Sequence, residues 1–221
     1  MKTKLNFSFV LISVFFALSI IPSRAGTLSL PTISTSAMPH GTLSGPFGWR
    51  DFCQKYSDEC IAKNIGSTSI NLTSEVWQTI RQINEWVNHT IQPVSDYDHW
   101  GVPESWDIPT DGKGDCEDYA LLKRQTLTHL GLPTAALLMT VVYNRRHEGH
   151  AILTLVTDRG DYILDNQTDT IMGWKQTGYR FIERQSSGNP NIWVRLDDNA
   201  DEIVVSSRKD TDRKILGQSD Q

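Results

Sequence analysis

The chain has 221 residues, of which 38% are hydrophobic, and its formal net charge is −5. These values predict one ordinary globular domain with short flanking segments. The acidic balance argues against a phosphate-backbone partner, which requires a basic face, so nucleic-acid binding is not expected.

The first 25 residues have the three parts of an export signal. Two lysines precede an apolar run from Phe7 to Ile21, and Ala25 gives a small residue at its end. The run has about 15 residues, whereas a membrane-spanning helix needs roughly 20. We therefore predict a cleaved signal peptide over residues 1–25 rather than a membrane anchor, and a periplasmic or secreted location. Cleavage removes three basic residues and no acids, which leaves 18 basic against 26 acidic residues.

The cysteine content becomes informative in an exported protein, because disulfides persist in oxidising compartments. The chain has three cysteines. Cys53 and Cys60 are close in sequence and can close a short loop with a disulfide, which leaves Cys116 unpaired. A leftover cysteine of this kind is either a buried inert thiol or a reactive one.

Two helices are predicted in the first half of the mature domain, which we place at residues 26–199. Residues 26–48 read as an extended lead-in, and the first helix begins at Thr73 or Ser74. It is supported by apolar residues at steps of three and four, namely Val76, Ile80, Ile83, Val87 and Ile91. A Gly- and Pro-rich loop over residues 94–114 precedes a second helix from about Asp115 to Leu130.

The second half of the chain is predicted to form strands. Apolar, β-branched runs cover residues 135–143, 150–157, 162–165 and 191–196, and Asp158 to Asp161 reads as a hairpin turn. Helices followed by an antiparallel sheet indicate the α+β class. Residues 200–221 are polar and charged and are predicted to be a tail.

The predicted chemistry centres on Cys116, in the first turn of the second helix. Unpaired N–H groups and the helix dipole favour a thiolate there, and Gly114 allows close backbone approach just before it. A nearby imidazole could take the thiol proton and later protonate a leaving amine. His150 is favoured because it opens a strand. The rival histidines lie in the lead-in, at helix ends or in a charged turn, and include His40, His89, His129 and His147.

A third group is needed to orient the imidazole. Asp165 ends the strand that follows the hairpin turn. However, a two-residue turn at Arg159 and Gly160 would place Asp165 opposite Thr154 and would place Asp169 opposite His150. The hairpin register by itself therefore leaves both aspartates open.

The sequence around these residues resembles the bacterial transglutaminase-like cysteine proteinases, whose best-known members are LapG-type periplasmic proteases that release biofilm adhesins. The likeness spans roughly residues 46–195. The motifs that carry it are Gly114-Asp115-Cys116-Glu117-Asp118-Tyr119-Ala120 with Lys123, His150-Ala151, Leu164-Asp165-Asn166, Trp174 to Arg184 and Trp193-Val194.

The resemblance implies a papain-like or transglutaminase-like α+β fold, with N-terminal helices packed on an antiparallel sheet. It implies a cysteine endopeptidase with Cys116 as nucleophile, His150 as base and Asp165 orienting that base. The expected substrate is a periplasmic or cell-surface protein such as an adhesin, and an inhibitory membrane receptor is an expected partner. Two alternatives stay open: acyl transfer, as in a transglutaminase or deamidase, and a non-catalytic peptide-binding module.

The acids beside the nucleophile raise a separate question. Asp115, Glu117 and Asp118 place three negative charges next to a thiol that must become negative, which would raise its pKa. A bound cation would cancel that effect, and carboxylate oxygens suit Ca²⁺. The resemblance also implies calcium, with these three acids as candidate ligands. In the alternative, Asp115 caps the helix and Asp118 reaches back to it.

Overall fold

A computed structural model describes residues 29–61 and 66–196, so the predicted signal peptide and the tail lie outside the described residues. The helices and strands follow one another along the chain. In order they are β1 (His40–Leu43), α1 (Phe47–Lys55), α2 (Ser74–Thr90), β2 (Gln92–Pro93), α3 (Asp96–Trp100), β3 (Lys113–Gly114), α4 (Cys116–His129), β4 (Leu137–Tyr143), β5 (Gly149–Thr157), β6 (Gly160–Leu164), β7 (Met172–Gly173), β8 (Arg180–Ser186) and β9 (Asn189–Arg195).

The main sheet is antiparallel throughout and, within the described residues, has seven strands in the order β1-β9-β8-β4-β5-β6-β7. The short strands β2 and β3 pair in parallel as a separate ribbon just before α4. Apart from β1, the strands of the main sheet follow the helices along the chain, and α4 packs on β5. The α+β prediction is confirmed.

Strand β5 is buried on both of its faces, which explains why its sequence is a continuous apolar run. Leu153 and Leu155 belong to the large core that also contains residues of α2 and α4. Ile152 belongs to a second core on the opposite face, where it packs with Phe181 and Trp174. The sheet is therefore a central layer, and the start of β5 is held in place from both sides.

The two predicted helices form where the sequence indicates. The side chain of Thr73 accepts a hydrogen bond from the N–H of Val76 (3.3 Å) and caps α2. Helix α4 begins at Cys116 with Asp115 as its N-cap. Gly131, just beyond the end of α4, has a positive φ of 92°, which suits a residue that terminates a helix.

The hairpin between β5 and β6 differs from the expected one in its register. Thr157 pairs with Gly160 and Leu153 pairs with Leu164, so the two-residue loop is Asp158 and Arg159 rather than Arg159 and Gly160. Gly160 has a φ of +101°. Because a one-residue move of the loop shifts the pairing by two positions, Asp165 comes opposite Ile152, next but one to His150 on the same face.

Several elements lie outside the predicted pattern. The predicted lead-in contains β1 and the start of α1, whose Trp49 and Phe52 are buried. The predicted loop over residues 94–114 contains the short helix α3. Strand β8 was not predicted because its sequence contains charged residues, which are typical of exposed segments. One of them, Arg184, is nevertheless buried and paired with buried Asp161 (2.7 Å).

Cys53, near the end of α1, forms the predicted disulfide with Cys60, and Cys116 is free. Cys60 is buried beside the large core, so the bond fastens the segment after α1 to the body of the protein. No helix within the described ranges is long and apolar enough to cross a membrane.

We expect the double substitution Cys53→Ser and Cys60→Ser to lower the free energy of unfolding by about 2 kcal/mol, because the bond closes a short loop in the unfolded chain. Chemical denaturation of both proteins measures the difference. Thiol titration of the unreduced, denatured wild-type protein should find one free group, and a result of three would contradict the disulfide.

Candidate active site

Cys116 is positioned by the way in which α4 begins. The Asp118 carboxylate accepts hydrogen bonds from the N–H groups of Asp115 (3.3 Å) and Asp107 (2.8 Å), which joins the first turn of α4 to the preceding loop. A Cβ on Gly114 would lie 2.4 Å from Oδ2 of Asp118, so only glycine fits there. This is the close backbone approach that the sequence predicts for Gly114.

The Cys116 thiol has two hydrogen-bond partners among the described residues. It donates to Oε2 of Glu117 (3.1 Å) and accepts from the N–H of Ala151 (3.3 Å), the residue that follows His150. Burial, the charges of Glu117 and Asp115 and the hydrogen bond to Glu117 raise the pKa of Cys116 well above its ordinary value, although the Ala151 N–H acts in the opposite direction. In this arrangement the protonated thiol is favoured.

His150 and Asp165 form a buried pair, which the resemblance implies and which the predicted hairpin register left open against Asp169. Nε2 of His150 lies 2.9 Å from Oδ1 of Asp165, and both side chains are at most 3% exposed. The Asp165 carboxylate also accepts from the N–H of Gln167 (3.0 Å) and the hydroxyl of Tyr179 (2.6 Å). Burial alone raises the pKa of Asp165, but these hydrogen bonds outweigh it and leave the pKa below its ordinary value.

Tyr179 is a member of this network that the sequence does not reveal. Besides its hydrogen bond to Asp165, its ring meets the His150 ring edge-on, with centroids 5.9 Å apart. Burial and the bond to Asp165 raise the pKa of Tyr179, so its hydroxyl stays a donor. Tyr179 lies just before β8, far from His150 in sequence, although it falls within the Trp174 to Arg184 segment that resembles the family.

Asp169, the rival to Asp165, lies in a different set of contacts. Its carboxylate binds Nε2 of His89 (2.9 Å) and Nδ2 of Asn88 (2.9 Å) at the end of α2. Asn88 also donates to the backbone oxygens of Asp165 and Thr168 (3.0 and 3.2 Å). The structure therefore brings Asp165, and not Asp169, to His150.

Lys123 lies two turns along α4 from Cys116 and is 1% exposed. Its Nζ atom has no hydrogen-bond partner among the described residues. Burial lowers the pKa of Lys123 to about 7, although the charges of Asp165 and Asp169 act in the opposite direction. The buried amine is thus close enough to Asp165 for their charges to interact.

Carboxylates crowd the other side of Cys116, and the structure adds two to the predicted three. Ligand atoms of Asp96, Asp115 and Asp118 lie within 4.8 Å of one another, and so do those of Asp96, Glu104 and Glu117. The predicted acids Asp115, Glu117 and Asp118 thus fall into two overlapping sets that share Asp96. The sequence does not indicate this clustering, because Asp96, at the start of α3, and Glu104 lie well before Cys116 in the chain.

The residues present fit a hard cation. Oδ1 of Asp115 is buried and has no hydrogen-bond partner among the described residues. Burial and the neighbouring charge of Asp115 raise the pKa of Glu117 well above its ordinary value. Asp118 agrees with the alternative in which these acids cap α4, since both of its carboxylate oxygens accept backbone hydrogen bonds. Asp96, Asp115 and Glu117 are therefore better placed than Asp118 to offer free oxygens.

Comparison with known proteins places the chain among proteases. The sequence model of the family described as bacterial transglutaminase-like cysteine proteinase matches residues 40–201, which include β1 to β9 and all three predicted catalytic residues. None of the curated proteins compared with the chain matches it.

Solved structures of LapG from Legionella pneumophila are similar to this chain. The calcium-bound form is 21% identical, with a TM-score of 0.47 over 54% of this chain and 68% of that one. The EGTA-treated form is also 21% identical, with a TM-score of 0.46 over 57% of this chain and 69% of that one.

We expect substitutions in the two aspartates to separate their roles. Asp165→Asn should lower the rate of peptide hydrolysis by orders of magnitude, because an amide no longer holds the imidazole in the same tautomer. Tyr179→Phe should cause a smaller loss, since it removes one of three donors to Asp165. Asp169→Asn is the matched control and should be mild. Steady-state rates on one substrate test the order, and a larger loss for Asp169→Asn than for Asp165→Asn would contradict it.

Proposed function

Because the chain belongs to the bacterial transglutaminase-like cysteine proteinases, we propose that it cleaves a peptide bond in an exported protein by means of Cys116, His150 and Asp165. The observation that supports these roles is one of geometry. Cys116 carries the only free thiol among the described residues, and it lies at the start of a helix. The thiol contacts the N–H of Ala151, and the neighbouring His150 is bound by the buried carboxylate of Asp165.

Each residue then has a defined task. Since Nε2 of His150 is engaged with Asp165, Nδ1 is the nitrogen that remains to take the proton of Cys116. The thiolate attacks the substrate carbonyl, and the backbone N–H of Cys116 is a candidate donor to the oxyanion. His150 returns the proton to the leaving amine, and water then hydrolyses the acyl-enzyme. The thiol–imidazole contact need not be formed before substrate binds, because such contacts often tighten only in the complex.

Asp165 supports His150 by geometry and by charge. Its three hydrogen bonds fix the carboxylate, so the imidazole is presented in one orientation and one tautomer. The low pKa of Asp165 keeps it ionised, which stabilises the imidazolium that forms during the reaction.

The substrate we propose is a periplasmic or cell-surface protein, and a surface adhesin is the leading candidate. The basic and apolar N-terminal segment and the disulfide support export, and the family resemblance supports an adhesin. The same resemblance supports an inhibitory membrane receptor as a regulatory partner.

We also propose that the carboxylates beside Cys116 bind Ca²⁺, with Asp96, Asp115 and Glu117 as the principal ligands, Glu104 nearby and Asp118 holding the loop. Five acids in one place favour a cation, and oxygen ligands suit calcium. Similarity to LapG, solved in calcium-bound and EGTA-treated forms, is consistent with this. When bound, calcium would supply two positive charges that offset the acids around the thiol.

The proposed activity is tested by incubating the mature protein with purified candidate adhesins of the source bacterium. Hydrolysis should give two fragments whose masses add up to the substrate plus one water, whereas transfer to an amine gives no fragments. Cys116→Ala should abolish the fragments and leave the unfolding temperature nearly unchanged. An activity-based thiol label should modify the wild-type protein at Cys116. Fragments formed by Cys116→Ala at the wild-type rate would show that the proposed nucleophile is wrong.

Chelation should expose the role of calcium. We expect EGTA to lower both the cleavage rate and the unfolding temperature, and Ca²⁺ to restore both better than Mg²⁺, which requires a tighter octahedral shell. Asp115→Ala, Glu117→Ala and Asp96→Asn should mimic EGTA, whereas Glu85→Gln, at an exposed site on α2, should not. Full activity in EGTA, together with calorimetry that detects no calcium binding, would contradict the proposal.

The stabilisation by calcium should depend on pH. Burial, with the charges of Asp115 and Asp96, raises the pKa of Asp118 from 3.8 to about 8 without the ion. The folded protein then holds more protons than the unfolded chain between these values, so its stability falls as the pH rises through that window. The gain in unfolding temperature on adding Ca²⁺ should therefore increase from about pH 5 to about pH 7.

A further inference from the structure

A cavity of about 440 Å³ lies beside the hydrogen-bond network around Asp165. The turn between β4 and β5 forms one wall through Arg145 and Arg146, and Gln167 and Tyr179 belong to another wall. Gln167 and Tyr179 also donate hydrogen bonds to Asp165, so the cavity directly adjoins the His150–Asp165 pair. A substrate bound at the catalytic residues would therefore lie near this cavity.

The charge of this cavity contrasts with that of the protein. Two arginines line it, and none of its lining residues is an acid, although the chain as a whole has a net charge of −5. The remaining lining is mostly polar and includes Asn144 and Thr168. A buried or half-buried negative group would therefore be stabilised here, and a positive one would be repelled.

Arg145 is held in place, but its charge is not paired. Its Nε donates to the backbone oxygen of Thr177 (2.7 Å), and the Thr177 hydroxyl in turn donates to the backbone oxygen of Trp174 (2.8 Å). The same hydroxyl accepts from the N–H of Tyr179 (3.1 Å). Among the described residues, neither terminal amino group of Arg145 has a partner. A guanidinium fixed through Nε therefore presents unused donors beside Tyr179.

Arg146 differs from its neighbour in this respect. Both its Nε and a terminal nitrogen lie 2.9 Å from Oε2 of Glu148, and the two side chains are 72% and 56% exposed. Its charge is already paired at the surface. The two arginines thus form a matched pair, in which one is free to bind a ligand and the other is not.

We propose that this cavity is a substrate subsite for an acidic side chain, and that Arg145 binds the carboxylate of an Asp or Glu near the cleaved bond. A planar guanidinium matches a carboxylate in geometry as well as in charge. The subsite rests on the proposed proteolytic function, and it would give the enzyme a preference for acidic segments of its substrate.

The experiment uses a library of tryptic peptides from a denatured bacterial extract, incubated with the calcium-loaded mature protein and with Cys116→Ala as background. Mass spectrometry maps the cleaved bonds. We expect Asp and Glu to be enriched at one position near the cleaved bond for the wild type and for Arg146→Gln, and not for Arg145→Gln. Arg145→Lys, which keeps the charge without the planar fork, should retain part of the enrichment.

A matched pair of peptides, with Glu or Gln at the enriched position, then gives the size of the effect. Arg145→Gln should lower kcat/KM for the Glu peptide about tenfold and leave the Gln peptide unchanged, as expected for the loss of one charged hydrogen-bonded contact. Thermal unfolding of each variant checks that the fold is retained after the bond from Arg145 to Thr177 is lost. Equal losses on both peptides, or equal losses in Arg145→Gln and Arg146→Gln, would overturn the assignment to Arg145.

The outcomes also separate the subsite from the proposed function. Cleavage that depends on Cys116 but shows no acidic enrichment overturns the subsite and leaves the function standing. If no cleavage depends on Cys116, the function fails, and binding alone decides the subsite. In that case N-acetylglutamate amide and N-acetylglutamine amide are titrated into the Cys116→Ala protein by NMR. Selective binding of the glutamate probe that is lost with Arg145→Gln supports the subsite, and equal binding of both probes overturns it.

Discussion

The position of Cys116 depends on one buried carboxylate, that of Asp118. It ties the N–H of Asp115 to the N–H of Asp107, and so fixes the start of α4 against the loop that precedes it. Asp107 accepts in turn from the side chains of Lys55 and Tyr56 at the end of α1. Without Asp118, two N–H groups would lose their acceptor, at a cost of about 1–3 kcal/mol each if they stayed buried. The nucleophile is therefore held by a chain of contacts that reaches a different helix.

This arrangement places several buried negative charges close together, which is electrostatically unfavourable. Asp118 and Glu117 are both less than 5% exposed, and Asp96 lies beside them. A helix N-terminus offers only about half a positive charge, which does not balance several buried carboxylates. The same crowding that holds Cys116 thus disfavours its thiolate and, without a cation, favours protonated acids. The carboxylates that position Cys116 therefore also disfavour its thiolate, and a bound divalent cation would offset their negative charge.

The other half of the site is held by a helix that carries none of the three proposed catalytic residues. Asn88, in the last turn of α2, donates to the backbone of Asp165 and to the carboxylate of Asp169, while His89 binds the same carboxylate. Asp169 thus helps to fasten the turn after β6 to α2, while Asn88 also binds the backbone of Asp165 directly. Lys123 of α4 adds a buried amine whose charge interacts with both aspartates. Helices α2 and α4 therefore converge on one short turn.

Much of the fold could be predicted from the sequence, because the relevant signals are local. Apolar spacing and caps gave α2 and α4, continuous β-branched runs gave β4 and β5, and a small residue was expected where Gly114 approaches α4. The prediction failed where local signals mislead. The charged residues of β8 conceal a strand, since Arg184 is neutralised by Asp161 from another strand. The hairpin register was wrong by two positions, since Asp158 and Arg159, rather than Arg159 and Gly160, form the loop.

By itself, the sequence determined the fold class, a disulfide between Cys53 and Cys60, and a thiol at the start of a helix, since each follows from residues that are near one another in the chain. Only the tertiary structure decided between Asp165 and Asp169, because that choice depends on the hairpin register and on contacts with α2. It also added Tyr179, Asp96 and the free guanidinium of Arg145 to the site. Their roles depend on distances between segments that are far apart in sequence, and side-chain spacing along the chain carries no information about those distances.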